Sequence, residues 1–402
     1  MKTIVIWLAA VMTASIVSAQ TYVWTQRASL PSIARMGAAS FSIGNYGYTV
    51  GGYTGTAVLK ETWQYDPLTN TWSQKADLPG TVRYNATGFA INNKGYVCLG
   101  WSNTSGSGQL NDLWEYDPAN NNWVQKASFP GGPRYTASVF VIGTAAYVGL
   151  GYSPLASDFY RYEPLFNLWT QVASFPGGAR QSATGFAVNG KGYVACGSPN
   201  FTAYFKDLWE YDPVLNNWVQ KSNFPGNERF SAIGLSLQNK AYLGLGLIGN
   251  NPQVFFNDVA EYDPATDQWQ IHSYFPGTLR SNAATFEIGT TGYVAFGKSP
   301  IQNVFLNDCW ALVDVTSVDE LSGNQVQLYP NPCHDFLNVK WPENSNKAEM
   351  KIFSSEGRLL ISRKQNDAIS TLQLNVSGLP AGIYYLNIKT EKMEFKKGFI
   401  KQ

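Results

Sequence analysis

Asp112-Leu-Trp-Glu-Tyr-Asp-Pro118, with Trp123 following, decides the fold because the chain writes the same phrase several times. Asp207 to Pro213 repeats it before Trp218, and Glu61 to Pro67 before Trp72. Asp158 to Pro164 and Asp258 to Pro264 are looser copies. Asp-Pro with Asn two or three residues later is turn chemistry. Proline holds φ at the second turn position, and the Asp side chain accepts nearby backbone N–H groups. Each phrase therefore reads as a strand, a tight turn and a second strand beginning at Asn or Trp.

Working outward, Trp24, Trp72, Trp123, Trp169, Trp218 and Trp269 set a register. Seven residues after each comes proline (Pro31, Pro79, Pro130, Pro176, Pro225, Pro276). Eleven after comes arginine: Arg35, Arg83, Arg134, Arg180, Arg229 and Arg280. Tyrosine follows at twenty-four (Tyr48, Tyr96, Tyr147, Tyr193, Tyr242, Tyr293) and glycine at twenty-eight (Gly52, Gly100, Gly151, Gly197, Gly246, Gly297). The period is 46 to 51 residues with four short alternating runs in each, called A to D in chain order. A sheet of this size cannot cover both its faces alone, so the units stack radially into a six-bladed β-propeller. Trp24 is a strand D without A, B or C before it. The last unit, running from Arg280 to Trp310, lacks a D. The N-terminal strand is expected to complete the sixth sheet and hide its open edge.

These residues resemble the kelch repeat over roughly residues 21 to 312. Its marks are Arg before strand A, Tyr-x-x-x-Gly in strand B, then Tyr-Asp-Pro and Trp. The double glycine of that family survives only at Gly51-Gly52, with Leu, Cys or Phe at the first position elsewhere.

Composition agrees with an all-β protein. Hydrophobic residues make up 44% and charged residues 14%, with 37 glycines and 13 tryptophans. A net charge of +1 provides no field for nucleic acid. Two histidines and four cysteines suit neither a metal centre nor a Ser-His-Asp site. The histidines that copper-containing kelch oxidases need are missing. No metal or other cofactor is expected, and Cys98, Cys196 and Cys309 read as buried small hydrophobes.

Residues 1–19 read as a signal peptide: Lys2, an apolar run from Ile4 to Val17, and small residues to Ala19. No other run is long enough to span a bilayer. The propeller is expected over 20–313, a linker over 314–324 and a further domain over 325–402. Alternating runs at Leu337-Val339-Trp341, Leu372-Leu374-Val376 and Ile383-Tyr385 indicate a small immunoglobulin-like β-sandwich. Tyr329-Pro-Asn-Pro332, Leu379-Pro-Ala-Gly-Ile-Tyr384 and a basic tail, Lys396-Lys397…Lys401, are similar to the type A C-terminal sorting domain of type IX secretion substrates. That resemblance implies engagement of the type IX machinery and export across both membranes of a Gram-negative bacterium, to the cell surface or the medium.

Only the B-to-C connection varies in length between blades, from 7 residues (Gly151 to Asp158) to 12 (Gly100 to Asp112). Recognition of a protein or glycan is therefore expected on the face carrying the B–C and D–A connections. The six arginines sit there. They either pair with the acid opening strand C (Glu61, Asp112, Asp158, Asp207, Asp258, Asp308) or form a ring of cations for a carboxylate ligand. Tyr53, Trp101 and Tyr152 follow the repeat glycine and give half the mouth an aromatic lining. Glu228, beside Arg229, occupies a position held by uncharged residues in the other blades. It supports the alternative of a sugar-processing enzyme, which kelch-type sialic-acid epimerases resemble, with Glu228 as general base.

Overall fold

The computed structural model describes residues 22–103, 108–249, 252–301, 304–314, 327–345, 348–354, 359–365, 369–390 and 394–402. The expected signal peptide and all but Asp314 of the expected linker lie outside these residues. Two compact units emerge, Tyr22–Val313 and one that includes Asp314–Gln402.

The first unit contains six four-stranded antiparallel sheets. Four consist of consecutive strands, and the fifth does so apart from a hairpin inserted between its second and third; in blade one the strands are Ala39–Ile43, Tyr46–Tyr53, Val58–Asp66 and Thr71–Lys75. The sixth joins Ala284–Ile288, Thr291–Lys298 and Phe305–Asp314 to the N-terminal strand Tyr22–Arg27. Each A strand lies at the edge of its sheet and packs against the A strands of both neighbours, closing a ring. The fifth blade carries an addition the repeat does not contain, a hairpin of Leu247–Ile248 with Val254–Phe255 in its B–C loop.

Side chains at fixed offsets hold the blades in register. Phe and Tyr on strands A and B stack in pairs such as Phe41–Tyr48 and Phe89–Tyr96, with centroids 5.4 and 5.1 Å apart. Strand D supplies the link between blades. The Trp123 indole N–H donates to the Ala76 carbonyl of the preceding blade at 2.9 Å, and Trp72, Trp169, Trp218 and Trp269 repeat the bond. The turn asparagine works with it: Asn121 Oδ1 accepts from Tyr116 Oη within its own blade and from the Ala76 N–H next door. The repeated Tyr-Asp-Pro…Asn…Trp phrase is thus a complete inter-blade clasp.

The repeat glycine has a backbone reason. At Gly151 φ is +102°, and a Cβ would sit 2.9 Å from the Tyr135 carbonyl. Its N–H donates to the Arg180 carbonyl of the next blade. The residue before it is also left-handed in every blade, whether Gly51, Leu99, Leu150, Cys196, Leu245 or Phe296. A side chain there costs about 1–2 kcal/mol. Leu99, Leu150 and Leu245 are fully buried, and burying such a side chain contributes about 1.5–3 kcal/mol. Burial offsets the strain, which explains how the first glycine of the pair could be replaced.

The second unit contains two antiparallel sheets. Gln327–Tyr329, Phe336–Ser345 and Ile369–Asn375 form one; Leu359–Gln365, Ala348–Ser354, Gly382–Thr390 and Glu394–Lys401 form the other. Leu337, Val339, Ile352, Leu374, Leu386 and Phe399 share one core, as a sandwich requires. The basic stretch read as a tail is instead an edge strand, Glu394–Lys401, paired with Gly382–Thr390. Its alternation was masked by the lysines.

Candidate functional site

The D–A and B–C connections do meet on one face. The residue after each arginine bridges the residue after the repeat glycine of the same blade: Tyr84 with Trp101, Tyr135 with Tyr152, Phe230 with Leu247. The D–A segment also bonds to the B–C loop of the preceding blade, as in Arg134 N–H to the Leu110 carbonyl.

The arginines do not form a row of available cations. All six are buried, at most 2% exposed. Arg83 donates from Nη1 and Nη2 to the two carboxylate oxygens of Asp112, both at 2.7 Å. Arg134, Arg180, Arg229 and Arg280 make the same fork to Asp158, Asp207, Asp258 and Asp308. Arg35 has a glutamate partner and makes one bond to Glu61 at 2.8 Å and another to Ser32. Each Nη1 also donates to the left-handed carbonyl before the repeat glycine, for example Leu99 at 3.1 Å. Phenyl rings lie over several of the planes; Phe205 is 3.9 Å from the Arg180 centre and Phe256 is 4.4 Å from Arg229. A guanidinium that is buried and already paired with an acid of its own fold is not available to grip a ligand carboxylate. The expected binding role of Arg35, Arg83, Arg134, Arg180, Arg229 and Arg280 is corrected on that ground.

Burial alone would raise the Asp112 carboxyl, but bonds from Arg83 and the Trp114 indole outweigh it and hold the group below its ordinary value. Glu61 shows the same balance, with bonds from Trp63, Arg35 and Ser32 outweighing burial.

The aromatic lining is larger than three rings. Tyr53 stacks on Tyr84 at 5.1 Å and meets Phe305 edge-on at 5.9 Å. Trp101 contacts Tyr135 at 5.2 Å, and Tyr135 contacts Tyr152 at 5.6 Å. Phe201 bridges Tyr152 and Phe230, and Tyr204 stacks on Phe230 at 5.5 Å. All except Phe230 keep part of their surface exposed. Tyr84, Tyr135 and Phe230 escaped the sequence reading although each stands one residue after a repeat arginine. Phe201 and Tyr204 come from a variable loop and Phe305 opens the strand Phe305–Asp314, at positions no register points to. Burial, with Tyr152 and Tyr84 close by, pushes the Tyr135 hydroxyl up to about 12, so it stays a neutral donor.

Around this lining the loops present neutral amides and hydroxyls. Gln109 Nε2 donates to Ser153 Oγ, and Asn200 Oδ1 accepts from Thr202 and Ala203. Lys298 donates to Gln253. Glu228 is exposed on a D–A connection and lines neither cavity on the propeller axis.

Between mouth and axis lies a collar. Gly37, Asn85, Thr136, Ser182, Ser231 and Asn282 all have φ between 50° and 62°. The N–H of each of the first five donates to the carbonyl of the same position one blade back, at 2.6–3.1 Å. Asn282 Nδ2 also donates to Asn85 Oδ1. Left-handed backbone at a β-branched Thr136 is costly, and the ring of hydrogen bonds holds it there.

Comparison with known proteins agrees with these elements. A model of the kelch motif matches residues 34–79, and one of the secretion system C-terminal sorting domain matches residues 327–402. No curated protein matches the chain. A solved structure described as "Structure of YjhT" superposes with a TM-score of 0.62 at 14% identity, over 72% of this chain and 97% of that one. At that identity the likeness speaks for the fold alone. Among the described residues no helix is long and apolar enough to cross a membrane. The chain is a kelch-type β-propeller joined to a type IX secretion sorting domain, which sends it to the cell surface or beyond.

Proposed function

We propose that the exported propeller is a binding protein whose B–C/D–A face takes an uncharged glycan. The observation that carries this is the pairing of all six arginines inside the fold while a crescent of aromatic rings beside them stays partly exposed. Tyrosine and tryptophan faces stack on sugar rings, and amides and hydroxyls such as Gln109, Ser153 and Asn200 suit hydroxyl ligands. An acidic peptide or acidic sugar would find no matching guanidinium row. Loop lengths vary only on this face, as expected where specificity resides.

The test is a glycan array with neutral and acidic glycans, probed with the full chain and with Trp101→Ala. Neutral glycans should bind, and Trp101→Ala should lose the signal. A preference for acidic glycans would overturn the reading. So would a blank array combined with capture of a protein partner that Trp101→Ala abolishes.

A further inference from the structure

The propeller axis holds a cavity of about 470 Å3 below the collar, lined by the six A strands. Its walls are tiered. Trp+14 is alanine in every blade (Ala38, Ala86, Ala137, Ala183, Ala232, Ala283), and Trp+16 is Ser, Gly, Val or Thr. At Trp+18 five blades carry Ser42, Ala90, Val141, Ala187 and Ser236, and the sixth carries Glu287. Among the lining residues Glu287 alone is ionisable. The strands packed against it, Ile233–Leu237 and Ala39–Ile43, contain no titratable group. Its sheet partner Thr291–Lys298 places Gly292 directly opposite it.

Three oxygen-bearing side chains therefore stand side by side at one level of the channel: Ser236, Glu287 and Ser42. Glu287 Oε1 accepts the Ser236 N–H at 2.5 Å, and the Glu287 N–H donates to Ser42 Oγ at 3.2 Å. The A strands form no sheet pairs on the channel side, so their backbone edges face the same space. Elsewhere around the ring such edge groups are met by neutral hydroxyls, as in Ser138 Oγ to the Ala183 carbonyl and Thr184 Oγ1 to the Ala232 carbonyl. Glu287 differs from these hydroxyls: it accepts an N–H instead of donating to a carbonyl, and it brings the one ionisable group of the channel wall.

We propose that the axial channel is a binding site for one monovalent cation of sodium or potassium size, held by the Glu287 carboxylate with the Ser42 and Ser236 hydroxyls. The donors are all hard oxygens, the type that alkali and alkaline-earth ions take. Charge decides between those two groups. One carboxylate balances one positive charge, whereas a divalent ion would keep a net charge that no second carboxylate of the lining meets. Among the described residues no three His, Cys, Asp or Glu converge to hold a metal ion, so a multi-carboxylate calcium site is not built here. Burial pushes the Glu287 carboxyl up to about 7, despite the Ser236 N–H that favours its charged form.

The test uses the full chain dialysed into choline chloride, then titrated at pH 8 with NaCl, KCl or CaCl2 at constant ionic strength. Thermal melting and calorimetry are the readouts. Wild type should gain melting temperature with Na+ or K+, and the arm with the larger shift identifies the ion. Glu287→Gln keeps the hydrogen-bond shape without the charge, and its affinity should fall at least tenfold. Ser42→Ala keeps the carboxylate and removes one hydroxyl donor, and should also weaken the effect of the ion; this holds the test open if Glu287→Gln folds poorly. Equal stabilisation of both proteins, no stabilisation of wild type, or a response to Ca2+ alone would overturn the proposal.

Discussion

Arg134 and Tyr135 are neighbours in the chain and opposites in use. The arginine turns inward to Asp158 and the Leu150 carbonyl, while the tyrosine stays on the mouth between Trp101 and Tyr152. The same division recurs at Arg83-Tyr84 and, with a more buried ring, at Arg229-Phe230. Regularity is what distinguishes the two rows. The arginine is invariant across blades because each blade poses the same packing problem. The next residue varies (Met36, Tyr84, Tyr135, Gln181, Phe230, Ser281); Met36, Tyr84 and Tyr135 keep part of their surface exposed, while Gln181, Phe230 and Ser281 are buried. In a repeat protein the invariant positions build the scaffold, and recognition sits in the positions that differ.

The largest effect should come from the inner row. Arg134→Ala removes one partner of a buried ion pair and should cost about 3–5 kcal/mol, read by chemical denaturation; a loss below about 1 kcal/mol would break the comparison. Acid should loosen the pairs made by Asp112 and Glu61. Asp112 and Glu61 have folded-state values below the ordinary 3.8 and 4.5. Their stabilisation is complete above those values and is lost as pH falls through the lower, folded ones. The contribution of these two pairs to the melting temperature should therefore be complete at about pH 4.5 and be lost below it; no loss between about pH 4.5 and about pH 2 would contradict the pairing.

Trp123→Ala, which removes an indole and its bond to Ala76, should cost about 3 kcal/mol, again by denaturation. Trp101→Ala belongs to the outer row. It should weaken ligand binding at least tenfold, about 1.4 kcal/mol, and barely move the melt. A large loss of stability there would erase the distinction between the rows. The smallest effect is expected at Glu228→Gln, within about 0.5 kcal/mol in stability and with ligand binding retained. Loss of a catalytic turnover in that variant would instead favour the enzyme reading.

What the sequence revealed follows the same division. Offsets from tryptophan carried the fold, including the borrowed N-terminal strand, because invariance survives in one chain when the chain repeats itself six times. The arginine–acid pairs were visible as complementary rows, although burial had to decide between pairing and availability. Tyr84 and Tyr135 were missed because an aromatic residue in a β protein usually serves the core, and only its direction shows otherwise. Phe201 lies in a loop without register, and Phe305 starts its strand ahead of the repeated positions. Glu287 was legible in principle as the one charge in its column, but inward-facing and outward-facing positions alternate along a strand. The channel had to be located first.

Strand Tyr22–Arg27 completes a sheet whose other members begin at Ala284. The ring therefore cannot shut until the two extremes of the propeller have found each other, the longest-range and slowest kind of β pairing. Until then the edge of Phe305–Asp314 stays open to any extended segment nearby. Blades can form one after another, while the locked disc appears only when its first strand docks.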